Sequence, residues 1–192
     1  MPRNYSLAKN PPSAHQRKPE YTRDDVWIKE LLRRGQVAHI GTLWDHQPFV
    51  TPSNYYFDEA KHRLIFHSNL AGRIRANIEH QAKVCVEVSE VGRYLPSNVA
   101  LEFSLQFRSV MVFGTAHIID DPEEKRRVLH HLIAKYFSPM ELGRDYRPAT
   151  DQELKRTTVY GLQIESWSGK ENWKDQADQS DEWPALDEKW EA

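Results

Sequence analysis

The chain has 192 residues, with 26 Lys and Arg against 28 Asp and Glu, a formal net charge of −2, and one cysteine. That length predicts one globular domain, and a near-neutral balance is not the footprint of a general nucleic-acid binder. The lone Cys85 excludes an intrachain disulfide and any cysteine-based metal cluster. Charge is uneven: residues 1–20 carry a net +3 and residues 171–192 a net −6, which reads as solvated tails. No stretch is apolar enough to span a membrane and no signal-peptide core is present, so a cytoplasmic protein is expected.

Residues 1–20, with four prolines, read as an irregular arm. Thr22 is the expected N-cap of a helix with Asp24 and Asp25 in its first turn and Val26, Trp27, Ile28, Leu31 and Leu32 as its apolar face; Gly35 ends it. Val37–Leu43 and Phe49–Phe57 alternate as strands around the turn at residues 45–48, and the polar run 58–62 predicts a hairpin into Arg63–His67. A helix over about Gly72–His80 and a strand over Lys83–Val91 follow, then a loop over residues 92–104 and a long strand over Phe107–Ile119. Asp121-Pro122-Glu123-Glu124 carries the signature of a helix start, with Asp121 as N-cap, Pro122 at the first helical position and Glu124 placed to complete a capping box. Val128, Leu129, Leu132, Ile133, Tyr136 and Phe137 then recur at helical spacing. An irregular stretch leads to a last strand over Thr157–Ser166, and residues 174–192 have no clear period. Strands punctuated by a few helices, without βαβ alternation, predict a mainly β, antiparallel barrel with peripheral helices.

The richest segment is Phe49–Val88. There a strand ends on His67 and Ser68, and Gly72 opens a helix that bears Arg73 and Arg75. A helix N-terminus presents free N–H groups and partial positive charge, which suits a phosphate. The order of Phe49–Phe57, Arg63–Arg75 and Lys83–Val88 resembles the FMN-binding split barrel of the pyridoxamine 5'-phosphate oxidase-like superfamily, in particular its flavin-nucleotide-binding, nitroimidazole-reductase-like branch. The resemblance covers roughly Tyr21–Lys170. It divides the chain into an arm (1–20), an FMN-binding split-barrel domain (21–170) and an acidic, Trp-bearing tail (171–192).

The resemblance makes Arg73 the phosphate ligand, with Gly72 at the turn and Ser68 and His67 beside the phosphate, ribityl chain or flavin edge. The residues by themselves leave open a surface arginine and a half-buried histidine. Relatives often carry a second basic residue directly after the arginine; here that position is Ile74, and the next base is Arg75. Thr51, Pro52, Ser53 and Asn54 lie on the strand expected under the isoalloxazine, where a proline in the strand leaves backbone groups free. An ordinary edge strand is the other reading. Arg108, Ser109 and Val110 match the start of a later strand that, in relatives, reaches the flavin from the second subunit. Trp167 and Lys170 are expected to wall the ring and meet the phosphate, although Trp167 also suits a cap on the core.

The nine histidines show no ligand spacing, so no metal site is expected. The functional expectation is a homodimeric FMN protein with its sites at the subunit interface, acting as an oxidoreductase between an NAD(P)H donor and a small-molecule acceptor. No catalytic acid or base stands out. Vitamin B6 oxidation is not expected: a resemblance to that enzyme would require an arginine-and-histidine substrate motif near the C-terminus, and no arginine or histidine follows Arg156. Two other classes stay open: haem binding, with His67 or His117 as axial ligand, and a non-enzymatic flavin-binding module. The tail tryptophans Trp173, Trp183 and Trp190 suggest docking on a surface, with a partly disordered tail as the other reading.

Overall fold

The structure, a computed structural model, describes residues 18–190, so the expected arm lies outside the described residues as far as residue 17. A 3-10 turn, Pro19–Tyr21, leads into β1 (Thr22–Arg23), α1 (Asp25–Arg34), β2 (Ala38–Trp44), β3 (Gln47–Ser53), β4 (Tyr56–Asp58) and β5 (Arg63–Asn69). Then come α2 (Arg73–His80), β6 (Lys83–Leu95), β7 (Ser104–Ile118), α3 (Pro122–Tyr136), α4 (Asp151–Leu154) and β8 (Thr157–Asn172). All strand pairs are antiparallel, in the order β3-β2-β6-β7-β8-β5-β4, with β1 added to β8. The two ends of this path, β3 and β4, are consecutive in the chain yet unpaired, which makes a split barrel with peripheral helices.

Alternation sorts the side chains. Val84, Val86 and Val88 of β6 point inward with Val110 and Val112 of β7, Leu162 and Ile164 of β8 and Leu64 and Phe66 of β5. Ile28, Leu31 and Leu32 of α1 join that core. A second cluster on the outer side, Ile65, Ile119, Val128 and Val159, seats α3. On the outer side of β2, β3, β6 and β7, Leu43, Val50, Cys85, Met111 and Phe113 are half-buried or exposed, and Val50 is 67% exposed. Two glycines permit close approach: a Cβ on Gly114, at the β7–β8 bulge, would stand 2.0 Å from the Gln163 carbonyl oxygen, and one on Gly169 would stand 2.6 Å from Ile28.

Several boundaries differ from the sequence expectations. Thr22 pairs with Lys170, so α1 is capped by Asp24, whose carboxylate accepts the Trp27 N–H at 2.9 Å. The strand expected over Phe49–Phe57 breaks after Ser53, because Tyr55 turns inward and its N–H donates to the Tyr136 hydroxyl at 2.9 Å. The expected loop over 92–104 is shorter, since β6 runs on to Leu95 beyond a register shift and pairs with Ser104. β8 likewise continues past Ser166 to Asn172, so Trp167 and Lys170 lie within the strand rather than after it. The irregular stretch holds α4, closed by a capping box between Thr150 and Glu153. In α3, Asp121 accepts the Glu124 N–H, but the Glu124 carboxylate turns to Lys61, Arg63 and Arg127 instead of completing a box.

Candidate functional site

The residues around α2 come together. β5 delivers Ser68 to its end, and Gly72 is the N-cap of α2 with no side chain capping the first turn. The first intrahelical bond is Ala76 N–H to the Gly72 carbonyl at 3.1 Å, which leaves the N–H groups of Arg73, Ile74 and Arg75 for a ligand or water. Arg73 is exposed and has no carboxylate partner among the described residues. Its guanidinium stands 5.2 Å from the Phe49 ring centroid and 5.7 Å from that of Trp44. Arg75, by contrast, is paired with Glu79 at 2.8 Å and donates to the Thr158 hydroxyl at 3.2 Å. Ile74 is 8% exposed and belongs to the core, so a second base directly after Arg73 would have to be buried.

Ser68 and Thr158 are opposite one another in the β5–β8 ladder, and the Ser68 hydroxyl meets the Tyr160 hydroxyl at 2.9 Å. Burial raises the Tyr160 pKa and keeps its hydroxyl protonated at neutral pH. Sequence reasoning missed Thr158 and Tyr160; their signal is strand alternation, since they share the face of Ser68 only once β8 is paired with β5. His67 points the other way, beside Val159 on the α3 side. Its Nδ1 is buried with no hydrogen-bond partner, and burial lowers its pKa, so the ring is neutral near pH 7.

On β3, Phe49, Thr51 and Ser53 are half-buried on one face, whereas Pro52 is exposed on the other. Pairing places Thr51 opposite Ile40 and Ser53 opposite Ala38, both core residues, so this face looks inward. The other edge of β3 is unpaired. Asn54 is exposed just beyond the strand, and its carbonyl accepts from the Ser53 hydroxyl at 2.9 Å.

The remaining candidates form a separate group at the far end of β8. Arg108 is held by Glu171 at 2.5 Å and Glu90 at 3.6 Å, with its guanidinium 3.8 Å from the Trp173 ring centroid. Ser109 pairs with Lys170 and Val110 with Gly169; Val110 is fully buried. Lys170 stands over the rings of Phe107 and Tyr21 at 5.2 and 5.9 Å. Trp167 packs against the core, its Nε1–H donating to Asp25 at 2.8 Å. Twelve positions of strand lie between Thr158 and Lys170, and the contacts of Lys170 are with Phe107 and Tyr21 rather than with the start of α2. No cluster of three or more metal-ligating side chains occurs among the described residues.

Fold and site together define a split-barrel protein with an anion-ready helix terminus beside an unpaired sheet edge. A family model described as "Pyridoxamine 5'-phosphate oxidase" matches residues 24–171, and the chain belongs to that family. Among solved structures, the chain is similar to the flavocytochrome Anf3 from Azotobacter vinelandii, with 27% identity and a TM-score of 0.75 over 88% of this chain and 77% of that one. An FAD and heme binding protein from Mycobacterium smegmatis shares the fold at 23% identity and a TM-score of 0.73, over 83% and 76% of the two chains. A putative 5-nitroimidazole antibiotic resistance protein from Bacteroides thetaiotaomicron does so at 20% identity and a TM-score of 0.64, over 81% and 95%. No curated protein matches the chain.

Proposed function

We propose that this chain binds a flavin nucleotide, with FMN as the minimal ligand, and acts as an oxidoreductase on a small molecule. The observation that carries this reading is Arg73: an exposed guanidinium without a carboxylate partner among the described residues, at the first position of a helix whose N–H groups no side chain caps. A dianionic phosphate there takes charge-assisted hydrogen bonds from the arginine and dipolar ones from the backbone. Phe49, Thr51 and Ser53 offer a half-buried face leading away from Arg73, and the free edge of β3 offers backbone donors and acceptors to the pyrimidine rim of an isoalloxazine.

When bound, the flavin supplies the redox chemistry, with electrons from an NAD(P)H donor passing to the acceptor. The chain's part is to hold the phosphate with Arg73 and the α2 backbone, and to keep Ser68 oriented through Tyr160. Arg108, Ser109, Val110, Trp167 and Lys170 reach such a site only from a second copy. The half-buried outer residues Leu43, Met111 and Phe113 and the exposed Val50 support a homodimer that covers this face. The 27% identity to a flavocytochrome supports the flavin reading. It also brings a second one, haem, for which the orphaned Nδ1 of His67 is the favouring observation.

An absorption spectrum of the purified protein, with the released chromophore identified by mass, tests both. A flavin spectrum is expected. A Soret band without flavin would replace the first reading by the second, and a colourless protein that refuses both added FMN and added haem would overturn both.

A further inference from the structure

The acidic tail returns beside the β6–β7 loop and leaves a cleft of about 350 Å³, with Tyr94 and Pro96 on one side and Trp183 and Trp190 on the other. Asn98 and Gln179 bond the two sides together, so the walls are held in place. Tyr94, Trp183 and Trp190 are 81%, 67% and 57% exposed and belong to neither hydrophobic cluster. Lys189 stands 5.8 Å from the Trp190 ring centroid and is paired with Asp187. Aromatic rings gathered around one cleft without entering a core mark a recognition surface.

The charge of the cleft is acidic. Asp175 and Asp181 line it against Arg93 alone. Arg93 donates to the Asp175 main-chain carbonyl at 3.3 Å and stands 3.8 Å from the Asp175 carboxylate. Asp181 enters no ion pair among the described residues. An aromatic-walled groove with carboxylates at hand suits a proline-rich basic segment, whose extended polyproline II form is preorganised to lay its rings on aromatic faces.

The chain carries such a segment. Residues 1–17 lie outside the described residues; in sequence they hold Arg3, Lys9 and Arg17, no acidic residue, and the pair Pro11-Pro12 between Lys9 and Arg17. Lys18, where the described chain starts, lines a polar cavity of about 130 Å³ that shares Leu95 and Gln176 with the cleft. Asn172 lines the same cavity, and its Oδ1 is buried without a donor among the described residues. An unmet acceptor thus stands beside the point where the arm arrives. From Lys18 back to Pro12, a polyproline II chain covers about 19 Å, enough to pass from one cavity into its neighbour.

We propose that the cleft between the β6–β7 loop and the acidic tail is the docking site of this chain's own basic arm, with Pro11 and Pro12 against Tyr94 and Trp183 and with Lys9 and Arg17 facing Asp175 and Asp181.

The test uses the full chain labelled with 5-fluorotryptophan and read by fluorine NMR, with resonances assigned through single Trp→Phe variants. Replacing both prolines, Pro11→Ala with Pro12→Ala, should move the Trp183 and Trp190 resonances and leave those of Trp27, Trp44 and Trp167 in place. The same signals should move with Lys9→Glu. Independently, trypsin should cut after Lys9 on the order of tenfold faster in Trp183→Ala than in the wild type, because cleavage follows the undocked population of the arm. Unmoved tail resonances in the proline variant, or equal cleavage rates, would overturn the proposal. Wild-type Trp183 and Trp190 signals that change on dilution would place the arm of a second copy in the cleft and overturn docking within one chain.

Discussion

The carboxamide of Asn98 and the backbone of Ser180 exchange two hydrogen bonds, Nδ2 donating to the Ser180 carbonyl at 2.8 Å and Oδ1 accepting the Ser180 N–H at 2.9 Å. The acidic tail is thereby laid against the β6–β7 loop. Ser97 adds a bond to the Asp178 carbonyl at 2.7 Å, and the Gln179 carboxamide accepts from the Asn98 N–H at 2.9 Å and donates to the Pro96 carbonyl at 3.2 Å. A cavity of about 350 Å³, lined in part by Tyr94, Trp183 and Trp190, lies between tail and strand.

Asn98→Ala removes both halves of that exchange. Loss of partly buried hydrogen bonds is expected to cost about 1–3 kcal/mol locally and to free the tail. Limited proteolysis should then cut residues 175–190 many times faster, with the barrel intact. Unchanged protection would show that the tail is held by something other than Asn98.

Arg73→Ala should weaken FMN binding by roughly ten- to a hundredfold, since one charge-assisted phosphate contact is lost. Arg75→Ala should cost less, because its guanidinium is already shared between Glu79 and Thr158. Fluorescence titration of the two variants checks the order, and the reverse ranking would move the phosphate from Arg73 to Arg75.

Asp58 and Arg63 are 2% and 6% exposed and lie 2.9 Å apart, with Arg127 and Glu124 completing a cluster that joins α3 to the β4–β5 hairpin. Asp58→Ala leaves the Arg63 charge buried with only part of its partners. A loss of about 3 kcal/mol in urea denaturation is expected, at the lower end for such pairs because Glu124 still faces Arg63. A loss below about 1 kcal/mol would mean that the cluster relaxes into solvent.

Acid should unfold the protein in two stages. Burial lowers the pKa of His67, so the stability from keeping it neutral is complete above its ordinary pKa of about 6.5 and declines below it. Burial opposes ionisation of Asp58, yet hydrogen bonds from Arg63 and Arg127 outweigh it and lower its pKa; Arg127 foremost, with Lys61 and Arg63, also lowers that of Glu124. Their contribution is complete above the ordinary carboxylate range near 4 and is lost as pH falls further. Melting temperatures from pH 8 to pH 3 should show a shallow decline first and a steep one last. His67→Phe should flatten only the first stage, and an unaltered profile would assign that stage to other groups.

A homodimer through the outer sheet face predicts that Phe113→Asp yields monomers, read by sedimentation. Monomeric wild-type protein would remove the two-chain site and, with it, any role for Lys170 at the phosphate.

Much of this was legible in the chain itself. The β alternation, the α3 start at Asp121-Pro122 and the Ser68–Arg73 passage from strand to helix are local signals, because caps, turns and periodicity act within a few residues. The α1 cap was misplaced by two residues, since Thr22 is committed to a strand partner 148 residues away. The same cause separates Arg108 and Lys170 from Arg73: all three are polar candidates in the sequence, but the 16-residue β8 carries Lys170 to the opposite end of the barrel from Thr158.

The sequence by itself determined the mainly β barrel, its helices and an arginine at a helix N-terminus, for these follow from alternation and backbone chemistry over short spans. Only the tertiary structure decided that Ser68 joins Thr158 and Tyr160 while His67 faces α3, that Trp44 stands beside Arg73, and that the acidic tail returns to Asn98. Those relationships depend on register between strands distant in the chain, and register is settled by which alternate face the whole core buries.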